Sequence, residues 1–161
     1  MNYKSTRNNG ISVTSAKAIA QGLSEEGGLF VPESIPALTK DEILALGKKS
    51  YPERAFDIFS KYLTDFSADE IKYCVNGAYS DRNFDSENIS EISHLMPGTY
   101  ILELWHGPTC AFKDMALQIL PYLLTVSAKK VIDGKEIAIL VATSGDTGKA
   151  ALEGFKDVPG T

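Results

Sequence analysis

Lys113 lies in a segment whose residue types suit covalent chemistry. Residues 106–114 read His-Gly-Pro-Thr-Cys-Ala-Phe-Lys-Asp, so the lysine follows a tight Gly-Pro turn at the expected start of a helix. An amine that forms a Schiff base with a carbonyl cofactor must be neutral when it attacks, and burial in an apolar site favours the neutral form. The pattern also fits an ordinary surface lysine, since lysine is seldom buried. Spacing alone leaves both interpretations open.

A second segment suits anion binding. Residues 143–148 read Thr-Ser-Gly-Asp-Thr-Gly and lie between an expected strand and an expected helix. A glycine turn at a helix N-terminus directs backbone N–H groups and the positive end of the helix at one point, which favours a carboxylate or a phosphate. The spacing fits neither the nucleotide P-loop nor the dinucleotide fingerprint. The alternative is a turn in which Thr143 or Ser144 only caps the helix.

Together these two motifs resemble the threonine synthase family. Its members carry His-Gly-Pro-Thr-x-x-Phe-Lys-Asp followed some thirty residues later by Thr-Ser-Gly-Asp-Thr-Gly. Residues 3–7, with Tyr-x-Ser-Thr-Arg, and the Gly-Leu and Gly-Gly-Leu-Phe-Val-Pro segments at 22–23 and 27–32 are similar to the opening of its bacterial and fungal branch. The resemblance extends over nearly the whole chain.

The resemblance implies a type II pyridoxal-phosphate (PLP) fold, similar to the tryptophan synthase β chain, and the conversion of O-phospho-L-homoserine and water to L-threonine and phosphate. Lys113 would carry the PLP cofactor and act as the catalytic base, and Asp146 would lie near the 3-oxygen of PLP. The resemblance assigns the substrate carboxylate to four residues of the second motif: Thr143, Ser144, Gly145 and Thr147. It implies no metal site.

Two positions depart from the family pattern. Cys110 stands where leucine is common, which is a tolerable apolar exchange. Lys149 stands where a small residue often follows the loop. Its charge would either help to bind a phosphorylated substrate or point to solvent, and we expect the latter.

The elements that position the N-terminal signatures are expected to be mainly helical. Alanine-rich spacing predicts a helix from Val13 to Gly22, and residues 27–32 predict a turn that leads into a short extended segment. Capping boxes predict helix starts at Thr39, Ser50 and Ser67. Helical spacing after the second box predicts one buried face, formed by Ala55, Ile58, Phe59, Tyr62 and Leu63.

The elements that position the two motifs indicate an α/β domain. Residues 99–104 are expected to be extended, and a helix is expected from Lys113 to Val131 with a kink or break at Pro121. The apolar run Glu136–Ala142 predicts a strand buried on both faces, and helical spacing resumes at Lys149–Phe155. We therefore expect an α/β protein with a largely helical N-terminal domain at 1–95. Residues 96–161 would begin the PLP-binding domain, and the chain would be a fragment of a longer protein.

Composition excludes several classes of function. Of 161 residues, 43% are hydrophobic and 23% charged, which predicts a folded globular chain. The net charge of -5 argues against nucleic-acid binding, and no apolar run has the length of a membrane span. We expect no signal peptide, two free cysteines and a cytoplasmic location. The expected partner is the small-molecule substrate, and the sequence leaves the oligomeric state open.

Three alternatives stay open. One is a threonine-synthase-like phospholyase that acts on another phosphorylated amine. A second is an amino-acid dehydratase, against which the N-terminal signatures argue. The third is a non-catalytic folding or interaction module, expected if 161 residues are the complete product. An exposed apolar sheet edge and self-association would indicate the last of these.

Overall fold

The protein has a mixed α/β fold with two small antiparallel sheets. The computed structural model describes residues 1–132 and 137–161. In chain order the elements are β1 Asn2–Ser5, β2 Ser12–Thr14, α1 Ser15–Gln21, β3 Phe30–Pro32, α2 Lys40–Leu46, α3 Tyr51–Tyr62, α4 Ala68–Ala78, β4 Glu91–Met96, β5 Thr99–Glu103, α5 Asp114–Leu117, α6 Leu120–Val131 and α7 Asp146–Phe155.

The N-terminal signature residues form a three-stranded sheet in the order β2-β1-β3. Tyr3 of β1 pairs with Val13 on one side and with Pro32 on the other. The predicted extended segment at 27–32 is confirmed as β3. The predicted helix from Val13 begins two residues later, because Thr14 is its N-cap and accepts a hydrogen bond from the Lys17 N–H. Strand β1 was not predicted, because four residues with little apolar character give no clear alternation.

The three predicted capping boxes all form. Thr39, Ser50 and Ser67 are the N-caps of α2, α3 and α4, and the backbone N–H of each donates to the side chain of the glutamate three residues later. The glutamate oxygens lie 2.7, 2.8 and 2.6 Å from the three N-cap nitrogens. Each box satisfies donors that a helix start otherwise leaves free. These starts therefore depend on residues that are adjacent in sequence.

The predicted buried face of α3 forms only in part. Leu63, just after the helix, is 5% exposed, whereas Ala55, Ile58, Phe59 and Tyr62 are half-buried. Helix α3 packs mainly against α4, so its apolar stripe is covered from one direction only. The prediction of a fully buried face was therefore wrong for these four residues, because an outer helix has one neighbour rather than several.

The main core lies between α1, α4 and α6. Small side chains such as Ala16 and Ala78 let the helices approach closely, and Cys74, Val75 and Leu123 fill the space between them. Tyr79 at the end of α4 is also buried, and its hydroxyl donates to the carbonyl of Met115 at 2.9 Å. The core thus combines side chains from before and after residue 95.

Residues 91–103 form a β-hairpin. Strand β5 confirms the extended segment expected at 99–104, and it pairs antiparallel with β4, with an irregularity between His94 and Met96. The start of β4 falls in a stretch whose polar residues gave no strand signal. Apolar side chains on both strands are exposed, among them Ile92 and Leu102.

In the last third of the chain one prediction is confirmed and another needs correction. The helix expected from Lys113 to Val131, with a kink or break at Pro121, is broken near that residue into two helices, α5 and α6, with Pro121 in the first turn of α6. Proline suits that position because it needs no N–H partner there. Of the strand expected at Glu136–Ala142, Glu136 lies outside the described residues, and residues 137–142 form no strand. Leu140 is 95% exposed, since no described strand pairs with this segment and no helix covers it.

Candidate functional site

Lys113 lies at the end of the loop between β5 and α5. Its backbone has helical angles, and its carbonyl accepts the Leu117 N–H at 2.9 Å, so it is fixed at the entrance of α5. The side chain is half-buried, and Nζ lies 4.5 Å from the centre of the Phe112 ring. No carboxylate among the described residues forms an ion pair with it. The amine therefore lies beside an aromatic face, while the carboxylate of Asp114, the next residue in sequence, binds Thr109.

Asp114 fixes the loop that precedes Lys113. Its side chain is fully buried, and its two oxygens accept the backbone N–H and the hydroxyl of Thr109, both at 2.8 Å. Gly107 approaches so closely that a Cβ at this position would lie 2.4 Å from the Cβ of Asp114. The Gly-Pro-Thr and Lys-Asp parts of the motif thus form one packed unit around a single carboxyl group.

His106 ties this unit to the preceding segments. Its Nδ1 lies 2.6 Å from an Asp85 oxygen and its Nε2 lies 2.8 Å from a Glu103 oxygen. These hydrogen bonds, the one to Glu103 first, raise the pKa of His106 above its ordinary value. Since both ring nitrogens face carboxyl oxygens, the doubly protonated ring satisfies both contacts. The Asp85 N–H also donates to the His106 carbonyl at 3.0 Å.

The second motif forms the loop that leads into α7. Thr143 holds it, because its hydroxyl oxygen accepts the Gly148 N–H at 2.9 Å. A Cβ at Gly148 would lie 2.4 Å from that oxygen, so only glycine allows this contact. Residues 143–147 are exposed, and Asp146 is the first residue of α7. The first N–H groups of the helix have no carbonyl one turn earlier, as an anion site requires.

Packing of α7 against α5 brings the two motifs together. A Cβ at Gly154 would lie 2.2 Å from the carbonyl oxygen of Leu117, so the two helices meet backbone to backbone. Lys149, in the first turn of α7, donates from Nζ to the carbonyl of Thr109 at 3.4 Å. The expectation that Lys149 only points to solvent was therefore wrong. Although exposed, it reaches from the glycine loop to the loop before Lys113.

Sequence reasoning missed the partners of His106 and the role of Thr109. Asp85 and Glu103 are ordinary acidic residues in the sequence, and only the fold brings Asp85, which precedes the hairpin, and Glu103, at its end, to one imidazole. The Thr109–Asp114 contact could have been predicted from the sequence, since a hydroxyl residue and a carboxylate residue five positions apart flank a turn. Such pairs commonly close loops.

The two cysteines lie in different environments, as expected for free thiols. Cys74 is buried in the core, where burial, followed by the charge of Glu70, raises the pKa of its thiol to about 12. Cys110 is exposed beside the Lys113 loop and has a φ of 57°, in the left-handed region that few non-glycine residues adopt.

The residues described here contain no group of three or more potential metal ligands. None of the described helices has both the length and the apolar character that a membrane crossing requires.

Comparison with known proteins agrees with the resemblance seen in the motifs. Residues 2–79 match the family model described as threonine synthase N terminus. The chain is 39% identical to threonine synthase of Schizosaccharomyces pombe over 97% of its own length and 32% of that protein. It is also 38% identical to threonine synthase-like 1 of Mus musculus, over 87% of the chain and 19% of the relative.

A solved structure gives the same result for the fold. The PLP-bound threonine synthase of Brucella melitensis superposes with a TM-score of 0.91 at 34% identity, covering 99% of this chain and 34% of that one. The chain thus spans about a third of the length of the threonine synthases it matches. In sequence and in structure the chain is therefore similar to the N-terminal part of these threonine synthases.

Proposed function

We propose that this chain is the N-terminal part of a threonine synthase, a PLP-dependent lyase that releases phosphate from O-phospho-L-homoserine and forms L-threonine. The observation that carries the proposal is the packing of α7 on α5, which brings the loop 143–148 beside the loop that ends at Lys113. Because the chain spans about a third of its threonine synthase relatives, the activity is proposed for the whole protein.

The residues present fit PLP. An aldehyde cofactor needs an amine that is not held in an ion pair, and Lys113 has no such partner among the residues that the structure describes. Phe112 covers one side of that amine. In the type II arrangement that we propose, Lys113 holds the cofactor, and Asp146 at the start of α7 lies near its 3-oxygen. The PLP-bound state of the Brucella melitensis relative supports PLP as the cofactor.

The loop before α7 is proposed to hold the carboxylate of the substrate. Thr143, Ser144 and Thr147 supply hydroxyl donors, while Gly145 keeps the backbone accessible, since a Cβ at this position would meet no neighbouring atom within 4 Å. The hydroxyl of Thr143 accepts the Gly148 N–H at 2.9 Å and donates to the Gly145 carbonyl at 3.4 Å, so binding a carboxylate would redirect this hydrogen from the loop to the substrate. The positive end of α7 adds to the attraction for an anion.

Lys113 is the proposed proton carrier. Bound PLP supplies an electron sink for the charge that forms when the α-proton leaves. The Lys113 amine takes that proton from Cα, and the same amine serves the later proton transfers at Cβ that accompany loss of phosphate from Cγ and addition of water. Thr109 and Asp114 hold the backbone on either side of this lysine, which limits the positions that its amine can take.

A threonine-synthase-like phospholyase is the second proposal, favoured by the 38% identity to threonine synthase-like 1. The two proposals share the Lys113 chemistry and differ in the substrate. Phosphate release from a panel of phosphorylated amino compounds by the complete protein distinguishes them. A clear preference for O-phospho-L-homoserine, with L-threonine as product, supports the first proposal.

Two further expectations belong to the whole protein. We propose that residues 1–95 are its N-terminal domain and residues 96–161 the start of the PLP-binding domain, with the core between α1, α4 and α6 as their contact. We also propose that it is a cytoplasmic enzyme whose partner is its small-molecule substrate.

The test is reduction of the complete, PLP-loaded protein with borohydride, followed by peptide mass spectrometry. We expect the pyridoxyl mass on Lys113, and we expect Lys113→Ala to lose both the label and phosphate release. Lys149→Ala is the matched control, since it removes a nearby lysine amine and should keep the label on Lys113. A label on another lysine, or full activity of Lys113→Ala, would refute the assignment.

A further inference from the structure

The imidazole of His106 joins separate segments of the chain at the start of the Lys113 motif. It lies between Asp85, in the loop before β4, and Glu103, the last residue of β5, with ring nitrogens 2.6 and 2.8 Å from their carboxylate oxygens. Both distances are those of charge-assisted hydrogen bonds. The side chain of His106 is 15% exposed, so these two contacts replace much of its hydration.

Only the doubly protonated ring makes both contacts. A neutral imidazole carries one N–H group, and its other nitrogen is an acceptor that cannot bond to a carboxylate oxygen. A third carboxylate, that of Glu91 on β4, also interacts electrostatically with this ring. The charged groups around His106 are therefore Asp85, Glu103 and Glu91, all of one sign, and they favour the protonated ring.

The two carboxylates that contact the ring are held differently. Glu103 is 18% exposed, and its other oxygen receives the hydroxyl of Ser93, whereas Asp85 is 77% exposed. A carboxylate shielded from water depends on its donors, while an exposed one is hydrated without them. When the ring loses one proton, its remaining N–H therefore stays with Glu103, and Asp85 turns to water.

The loop that begins at His106 is held at both ends. At its far end the Asp114 side chain is fully buried, and a Cβ at Gly107 would lie 2.4 Å from the Asp114 Cβ. Between these ends Cys110 has a φ of 57°, a conformation that persists only where the surrounding structure imposes it. A shift of His106 would thus reach the backbone of Lys113, directly before Asp114.

We propose that His106 is a positioning residue for Lys113. Its doubly protonated ring clamps Asp85 to Glu103 and fixes the start of the loop, and loss of one proton releases Asp85 and lets the loop move. The clamp itself requires neither PLP nor substrate. Its effect on catalysis rests on the proposed function, because only there does the position of the Lys113 amine matter.

Hydrogen exchange of the complete protein, without PLP, tests the clamp. Mass spectrometry follows the peptide that contains residues 107–114 in the parent and in Asp85→Ala, which removes the exposed half of the clamp without touching the core. The ratio of the two exchange rates cancels the intrinsic effect of pH. We expect Asp85→Ala to exchange about fivefold faster at pH 5.5, as for the loss of an exposed charge pair, and as fast as the parent at pH 9.

Histidine variants identify the group that titrates. His94→Gln is the matched control, because His94 on β4 stacks on Tyr100 at 5.2 Å and has no carboxylate partner in the described part of the chain. With His94→Gln present, the effect of Asp85→Ala should still disappear at pH 9. With His106→Gln present, it should be the same at both pH values. An effect that is independent of pH without these variants, or that still depends on pH with His106→Gln, would overturn the proposal.

Kinetics of the complete, PLP-loaded protein measure the effect on Lys113. At pH 5.5 Asp85→Ala should lower kcat for phosphate release about fivefold with KM near that of the parent, because the lysine acts on substrate that is already bound. The difference should disappear at pH 9, and borohydride should still label Lys113. Equal kcat values at pH 5.5 would refute the positioning role. If the protein does not act on O-phospho-L-homoserine, the proposed function fails, whereas the exchange result still decides the clamp.

Discussion

The buried carboxyl group of Asp114 gives the sharpest test of how the Lys113 loop is held. Replacement by alanine removes both acceptors of Thr109, whose backbone N–H and hydroxyl are then left in a place that water does not reach. Each buried donor left unpaired costs about 1–3 kcal/mol, so Asp114→Ala should lower the free energy of unfolding by about 3–4 kcal/mol.

The isosteric variant Asp114→Asn should behave differently. Its amide oxygen can accept the Thr109 N–H, and its NH₂ group can donate to the Thr109 hydroxyl oxygen, which also has lone pairs. Both contacts then persist without the charge, and we expect a loss of about 1 kcal/mol. The variant Thr109→Val, which removes only the hydroxyl contact, should fall between the two.

Urea unfolding followed by circular dichroism measures these differences. With a slope near 2 kcal/mol per molar urea, Asp114→Ala should unfold at a midpoint about 1.5–2 M lower than the parent, and Asp114→Asn at one about 0.5 M lower. If the two variants share one midpoint, the hydrogen bonds to Thr109 do not hold the loop. The reasoning about this loop would then be wrong.

Three further outcomes are expected. The raised pKa of His106 means that the folded state binds the imidazole proton more tightly than the unfolded state does. The contribution of this proton to stability is therefore complete below pH 6.5 and is lost as the pH rises through the folded-state pKa. Urea midpoints measured between pH 5.5 and 8.5 should show this decline for the parent protein and not for His106→Gln. Gly154→Ala should lower the free energy of unfolding by about 1–3 kcal/mol, because the added Cβ would meet the backbone of Leu117. Gly47→Ala is the control: Gly47 has a helical φ of −60°, so this variant should be neutral or slightly stabilising in the same assay. In a thiol-reagent assay at pH 8, Cys110 should react within the folded state and Cys74 only after unfolding; rapid reaction of both thiols would contradict the burial of Cys74.

Local signals were predicted well from the sequence. The capping boxes at Thr39, Ser50 and Ser67 depend on residues three apart, so their chemistry is readable without a structure. The break near Pro121 and the extended segment β5 were also predicted, because each depends on the types of residues that are adjacent in sequence. The two motifs also predicted the similarity to threonine synthases, because they combine several residue types in a fixed order.

Non-local features were not predictable in this way. Strand β1 exists because β2 and β3 lie on both sides of it, and the four residues of β1 do not reveal those neighbours. The apolar run after residue 136 illustrates the opposite case, since its composition favours a strand but no described strand pairs with residues 137–142. The Lys149 contact depends on the packing of α7 against α5, which no local pattern encodes.

The capping boxes have a consequence for the order in which the chain folds. Helices α2, α3 and α4 each carry their start signal within four residues, so their first turns can begin to form before distant segments of the chain meet. The Lys113 loop, in contrast, depends on contacts between residues that are distant in sequence. His106 contacts Asp85, 21 residues away, and Tyr79 contacts Met115, 36 residues away. Closing such loops is slower than forming local helix starts, because their entropy must be lost before the contacts form. The helical segment should therefore become protected from hydrogen exchange early in refolding, and the proposed catalytic lysine should reach its final position among the last residues to do so.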